Sequence, residues 1–163
     1  MRSRLAVAIV VCLGAIAVCA ATVLATPQSG FTPAQQWKGV FDKVNVTTNN
    51  FPPHRVRLLT SGFSDVYVTR NTIDPGGQSG WHTHPGPSLI MVTAGEITAY
   101  EGDDRKCRPT RYTAGQGFVD PGDGHVHLLR NETAAPAETV AIQILPKDAT
   151  RRIDTPAPGN CPF

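Results

Sequence analysis

Residues 80–95, with the sequence GWHTHPGPSLIMVTAG, decide the fold. His82 and His84 stand one residue apart, followed by a turn rich in proline and glycine, an apolar run and Gly95. Alternate residues of a strand point to the same face, so the two imidazoles can project side by side. Trp81 points to the opposite face and is expected in the core. Because neutral imidazole is a common transition-metal ligand, the stretch predicts a strand that carries half of a metal site.

A second pair, His125 and His127, follows a turn rich in glycine, proline and aspartate. One such pair is weak evidence for a metal, because two exposed histidines on a strand show the same pattern. However, four of the five histidines of the chain fall in these two pairs. Two neighbouring strands of a barrel can direct both pairs to one interior point. The sequence therefore predicts a single metal site.

Short alternating or β-branched segments, separated by glycine, proline and aspartate, make up the chain from residue 65 onward. Many short strands with frequent turn signals are typical of an all-β sandwich or barrel. We predict strands at 66–73, 81–84, 89–93, 97–101, 111–113, 117–119, 125–130 and 139–145, with outer strands at 37–46 and 55–59 and a loop at 47–53. No segment after residue 25 has a sustained helical period.

The first 25 residues have the composition of an export signal. Arg2 and Arg4 precede an uncharged run over residues 5–24, and small or modest residues at 23–25 fit a signal peptidase site. We predict a signal peptide at 1–25, with a retained membrane anchor as the alternative, and a secreted or extracytoplasmic location. The rest is predicted to form a flexible lead at 26–36, one barrel domain at 37–146 and an irregular tail at 147–163.

The chain after Ala25 carries 13 basic and 13 acidic residues, because only Arg2 and Arg4 of the 15 basic residues precede it. A formal net charge of zero does not indicate the positively charged surface that binds nucleic acid. We expect neither a nucleic-acid partner nor membrane contact after signal cleavage. A small-molecule substrate is the expected partner, and a homodimer is left open. The pair Arg151-Arg152 is interpreted as a solvated part of the tail.

Two cysteines, Cys107 and Cys161, remain after Ala25. An even pair in an exported protein favours a disulfide, which would tie the tail to the loop around Cys107. Two free thiols are the alternative.

The segment that contains His82 and His84 resembles the first motif of the cupin superfamily. That motif is Gly-x5-His-x-His, three or four residues, Glu, six residues and Gly. Gly76, the two histidines and Gly95 lie at this spacing, and Ser88 stands at the Glu position.

The segment that contains His127 resembles the second cupin motif, Gly-x5-Pro-x-Gly-x2-His-x3-Asn. Gly115 and Pro121 match its first half. Gly124, His127 and Asn131 match its second half, with one extra residue between the halves. The resemblance covers about residues 73–145.

This resemblance implies a single-domain, cupin-type jelly-roll β-barrel that holds a divalent transition metal, with Fe, Mn, Zn, Ni and Cu all left open. His82, His84 and His127 are the implied ligands. Ser88 departs from the pattern, because a hydroxyl is a poor replacement for a carboxylate ligand. His125 is the candidate fourth ligand and, because of the extra residue, also competes with His127; a role as a hydrogen-bonding neighbour is its alternative.

Three neutral imidazoles leave a metal its full charge and open positions, which suits Lewis-acid chemistry or, with iron, oxygen chemistry. The resemblance adds that three-histidine cupins include dioxygenases acting on thiols or β-diketones, and that many small cupins have no demonstrated catalysis. Two functions therefore stay open: a dioxygenase-type oxidoreductase and a non-catalytic metal- or small-ligand-binding module. Asp120 and Asp123 are interpreted as residues that stabilise the turn, so no general base is evident.

Overall fold

The structure is a computed structural model that describes residues 25–163. These residues are all β, as predicted, with twelve strands and no helix, and hence no helix that could cross a membrane. The predicted signal peptide lies outside the described residues except for Ala25. The strands are β1 Ser29–Phe41, β2 Asn45–Phe51, β3 His54–Leu59, β4 Ser64–Gln78, β5 His82–Thr83, β6 Ser88–Ala94, β7 Glu96–Glu101, β8 Thr110–Thr113, β9 Gly117–Asp120, β10 His127–Arg130, β11 Ala137–Pro146 and β12 Ile153–Asp154.

Ten of the described strands form one antiparallel sheet, in which hydrogen-bonded neighbours follow the order β12-β5-β10-β4-β11-β6-β9. Strand β1 also pairs with β4, and β7 pairs with both β10 and β8. The sheet curls into a nearly closed barrel. Strand β10 pairs with both β5 and β7, and its pairing with β5 places His127 opposite His82.

Strand β4 is longer than predicted, because the sequence DPGG at residues 74–77 bends the strand and does not end it. Gly76 has a φ of 74°, which a residue with a side chain rarely adopts. Its amide donates to the main-chain oxygen of Asn131, so the bend is tied to the end of β10.

The chain before Trp37 differs from the expected flexible lead, since β1 begins at Ser29 and pairs with β4 along its length. Almost all of its side chains are exposed, so the sequence shows no apolar alternation here. The backbone hydrogen bonds to β4 hold the strand instead, and a register shift follows Pro33, which suits an edge strand.

Residues 47–51, expected in a loop, belong to β2, which forms a two-stranded sheet with β3. The described side chains of this hairpin are exposed on both faces, as Val46 and Val56 illustrate at 49% and 44% exposure. Threonine and asparagine without a buried face give no period-2 signal, which is why most of β2 was predicted as a loop. The outer strand predicted at 55–59 is present as β3.

Two apolar clusters form the core. The larger contains the buried residues Ile73, Val92, Ile97, Ala99, Leu129 and Ala137. The smaller contains Trp81, Tyr100 and Leu128, with Trp81 in the core as expected. Consecutive residues of β10 therefore serve different clusters, because alternate side chains point to opposite faces of a strand.

The tail is attached to the barrel at two places. A disulfide joins Cys107 to Cys161, with Cα atoms 5.1 Å apart, and both cysteines pack on the smaller cluster. Strand β12 pairs with β5, with Ile153 opposite Thr83. The predicted disulfide is therefore present, and the tail runs directly past the strand of the first histidine pair.

Candidate metal centre

His82, His84 and His127 form one group inside the barrel. His82 and His127 are partners in the pairing of β5 with β10, and His84 follows β5 by one residue. The three side chains are buried, and each offers a nitrogen within 4.8 Å of the other two. The structure therefore brings together three of the four histidines that the sequence singled out.

Main-chain oxygens orient two of these rings. Nδ1 of His82 lies 2.8 Å from the oxygen of Gly80, and Nδ1 of His84 lies 2.7 Å from the oxygen of Arg151. Because a carbonyl oxygen only accepts, each Nδ1 carries the proton, and the lone pair of each ring is on Nε2. Such contacts orient metal-binding histidines and fix their tautomer.

A carboxylate orients the third ring. Oδ1 of Asp120 lies 3.3 Å from Nδ1 of His127 and also accepts from the amide of Gly122 at 3.0 Å. Burial alone would raise the pKa of the Asp120 carboxyl, but its contacts with His127 and the turn outweigh burial, so this pKa lies below the usual value. The expected turn-stabilising role of Asp120 is present, and the contact with His127 is an addition that sequence reasoning missed.

His125 lies outside the three-histidine group, in the turn before β10 and not on that strand as predicted. Its Nδ1 is 3.1 Å from Oδ1 of Asp120, and its Nε2 is 3.1 Å from Oε2 of Glu101. Both ring nitrogens thus face carboxylates. His125 also forms a second group of possible metal ligands with Asp120 and His127, whose ligand atoms lie within 4.8 Å of one another, so its predicted role as a ligand and its alternative role as a hydrogen-bonding neighbour both stay open.

Burial keeps His82 and His84 neutral. It lowers the pKa of His84 to about 4, and it lowers the pKa of His82 further. The positive charge of a neighbouring protonated imidazole would act in the same direction. Neutral imidazole is the form that binds a metal, so the rings do not need to lose a proton first near neutral pH.

Ser88 stands where the motif has glutamate, and the neighbouring space is occupied by Gln143. The buried amide nitrogen of Gln143 donates to the Ser88 hydroxyl at 3.1 Å and lies 3.1 Å from Nδ1 of His84. Its oxygen accepts from Arg151 at 2.9 Å. A neutral amide from β11 therefore borders the histidines in place of a carboxylate.

The turns that carry the two motifs touch each other. The amide of Asp123 donates to the main-chain oxygen of His84 at 2.8 Å. Gly122 has a φ of 67°, and a Cβ atom there would lie 2.1 Å from the oxygen of Gly86. Only glycine permits this approach, which holds the loop after His84 against the turn before His127.

A cavity of about 50 Å³ adjoins the three histidines. Its apolar lining residues include Phe31, Ile90 and Leu129, and its polar lining residues include Thr69, Gln143, Arg151 and Arg152. The two arginines were expected in a solvated tail, but both are only partly exposed and line this cavity. The reason is the pairing of β12 with β5, which a sequence of two adjacent arginines does not reveal.

Comparison with known proteins agrees with this architecture. Residues 69–143 match the cupin domain family. This match covers 75 of the 163 residues, and the fold is the predicted all-β barrel. No curated protein matches the chain.

Several solved structures are similar to part of this chain. A conserved protein with a double-stranded β-helix domain from Klebsiella pneumoniae is 20% identical, with 76% of this chain and 88% of that chain covered and a TM-score of 0.44. A conserved protein of unknown function from Streptococcus pyogenes is 18% identical, with 69% and 76% covered and a TM-score of 0.43. An oxalate oxidase is 24% identical, with 55% and 46% covered and a TM-score of 0.47, so this chain spans less than half of that one.

Proposed function

We propose that this protein binds a divalent transition metal through His82, His84 and His127. The supporting observation is that three buried histidines each offer a nitrogen within 4.8 Å of the other two. Main-chain oxygens of Gly80 and Arg151 accept from Nδ1 of His82 and His84, and Asp120 lies 3.3 Å from Nδ1 of His127. Surface histidines would have no reason to be oriented in this way. The donor set suits Fe, Mn, Zn, Ni or Cu, because imidazole is a ligand of intermediate softness.

We infer that the metal centre is open, because Ser88 and Gln143 supply no carboxylate and His125 is directed to Asp120 and Glu101. The adjoining cavity can admit a small molecule beside the metal. A redox-active metal bound to the three histidines would supply oxygen chemistry, and any divalent metal bound to them would supply Lewis acidity. The protein's own residues orient the imidazoles and present a cavity with apolar and polar lining residues.

A dioxygenase-type oxidoreductase is the function that this open centre supports best. A non-catalytic metal- or small-ligand-binding module is the alternative. It would be favoured by a shell closed with four histidines, whereas the position of His125 favours the open centre. We further propose that the protein is exported, supported by the signal-like residues 1–25 and by the disulfide between Cys107 and Cys161.

The test is elemental analysis of protein purified from its native compartment, combined with oxygen-uptake measurements. We expect one metal per chain and oxygen consumption with a small organic substrate when the metal is iron. The His125→Ala variant is expected to keep its metal. Metal loss from His125→Ala would instead support a closed, four-histidine module, and a wild-type protein without metal would contradict the proposal.

A further inference from the structure

We propose that the cavity beside the three histidines binds a small carboxylate, with Arg151 as the residue that recognises it. This inference rests on the proposed metal centre and names the class of molecule that enters it. It follows from the charges around the cavity, from one unused hydrogen-bonding group in its wall, and from its size.

The described wall of the cavity contains two arginines and no aspartate or glutamate. Asp120 is close to His127, but it contacts the Nδ1 side of that ring and does not line the cavity. A divalent metal on three neutral imidazoles would add further positive charge. An anionic ligand is therefore the one that this wall favours.

The two arginines have different partners. Arg152 forms an ion pair with Asp154 and donates to the main-chain oxygen of Ser79. Arg151 has no ion pair among the described residues and donates only to the neutral amide of Gln143, at 2.9 Å.

A half-buried guanidinium without a counter-ion is costly unless a ligand supplies the charge. Guanidinium can also bind a carboxylate with two parallel hydrogen bonds. Gln143 orients the Arg151 side chain by accepting its hydrogen bond, because the amide nitrogen of Gln143 is itself held by a hydrogen bond to the Ser88 hydroxyl. Arg151 is thus oriented before the ligand arrives.

The cavity wall offers a second contact. Thr69 is 1% exposed and lines the cavity, and its hydroxyl has no hydrogen-bond partner among the described residues. A buried hydroxyl without a hydrogen-bond partner destabilises the fold, and a ligand oxygen that accepts its hydrogen bond would remove this cost. A volume of about 50 Å³ holds roughly three to five water molecules, so the ligand is a short-chain carboxylate. Its few carbon atoms would face Phe31 and Ile90.

Calorimetric titration of the zinc-loaded protein with propionate, at constant ionic strength, tests this proposal. Propionamide has the same shape without the charge and is the matched ligand control. We expect propionate to bind and propionamide to bind at least tenfold more weakly, a typical effect of losing a charge-assisted hydrogen bond. Equal binding of the two, or no binding of propionate, overturns the proposal.

Two substitutions test the role of Arg151. Arg151→Ala is expected to lower the propionate affinity at least tenfold, and Arg151→Lys to retain part of it. Gln143→Glu keeps the side-chain size but supplies Arg151 with an internal carboxylate, so we expect it to abolish propionate binding. Arg70→Ala removes an exposed arginine that pairs with Glu138 and is the control, with unchanged affinity.

Elemental analysis and thermal unfolding of each variant separate this proposal from the metal proposal. If Arg151→Ala and Gln143→Glu keep their zinc and fold, unchanged propionate affinity overturns the role of Arg151 alone. If the wild type does not hold zinc, the metal proposal fails. Propionate binding by the metal-free protein that still depends on Arg151 would then support the carboxylate site by itself.

Discussion

His84 and Arg151 are joined by a hydrogen bond from Nδ1 of the histidine to the main-chain oxygen of the arginine, 2.7 Å away. The two residues are 67 positions apart in sequence. The bond fixes the tautomer of His84. Arg151 accepts this bond with its main-chain oxygen, while its guanidinium group borders the cavity. The C-terminal tail is therefore a structural part of the histidine site.

Removal of one histidine of the group is expected to release the metal. His82→Ala or His127→Ala should lower the metal content of the purified protein to near zero, because two imidazoles hold a divalent ion far more weakly than three. Elemental analysis measures the effect. His54→Ala, an exposed position on β3, is the matched control and should retain the metal; equal metal content in all variants would rule out the site.

Loss of the Asp120 carboxylate is expected to weaken metal binding without abolishing it. Asp120→Asn keeps the shape but removes the charge that faces Nδ1 of His127. Changes to such orienting partners typically cost about 10- to 100-fold in metal affinity. Competition with a chromophoric chelator measures it. Asp123→Asn, exposed in the same turn, should bind metal as the wild type does.

Removal of the disulfide is expected to lower the free energy of unfolding by about 2–4 kcal/mol, because the crosslink restricts the unfolded chain. Denaturant unfolding of Cys107→Ser, Cys161→Ser and the double variant measures the effect. The three variants should lose similar amounts, since each lacks the same bond. A double variant much less stable than either single variant would mean that side-chain packing, and not the crosslink, carries the effect.

Ionisation of Tyr100 is expected to destabilise the fold at high pH. Burial, helped by a hydrogen bond of 2.7 Å to Glu132, raises the pKa of Tyr100 to about 12, against 10 in the unfolded chain. Between these values the unfolded state binds fewer protons, so stability falls as the pH rises from about 10 to about 12. The phenolate absorbance, taken as the difference between wild type and Tyr100→Phe, follows the titration. A midpoint near 10 would contradict this environment.

The sequence alone determined the all-β class, nine of the strands and the two histidine pairs. These features depend on local rules, namely the alternation of side chains along a strand and turns made by glycine, proline and aspartate. The spacing of the motif glycines, histidines and Asn131 also pointed to the cupin barrel. The first part of β1, most of β2 and the short β12 were missed, because exposed edges carry no apolar alternation.

Only the tertiary structure decided which residues surround the site. The position of His125 depends on how one extra residue is accommodated in the turn before β10. Gln143 and Arg151 reach the histidines because β11 and the tail lie beside them in the folded barrel. Hydrogen bonds between strands distant in sequence create these contacts, and no local pattern of residues encodes them.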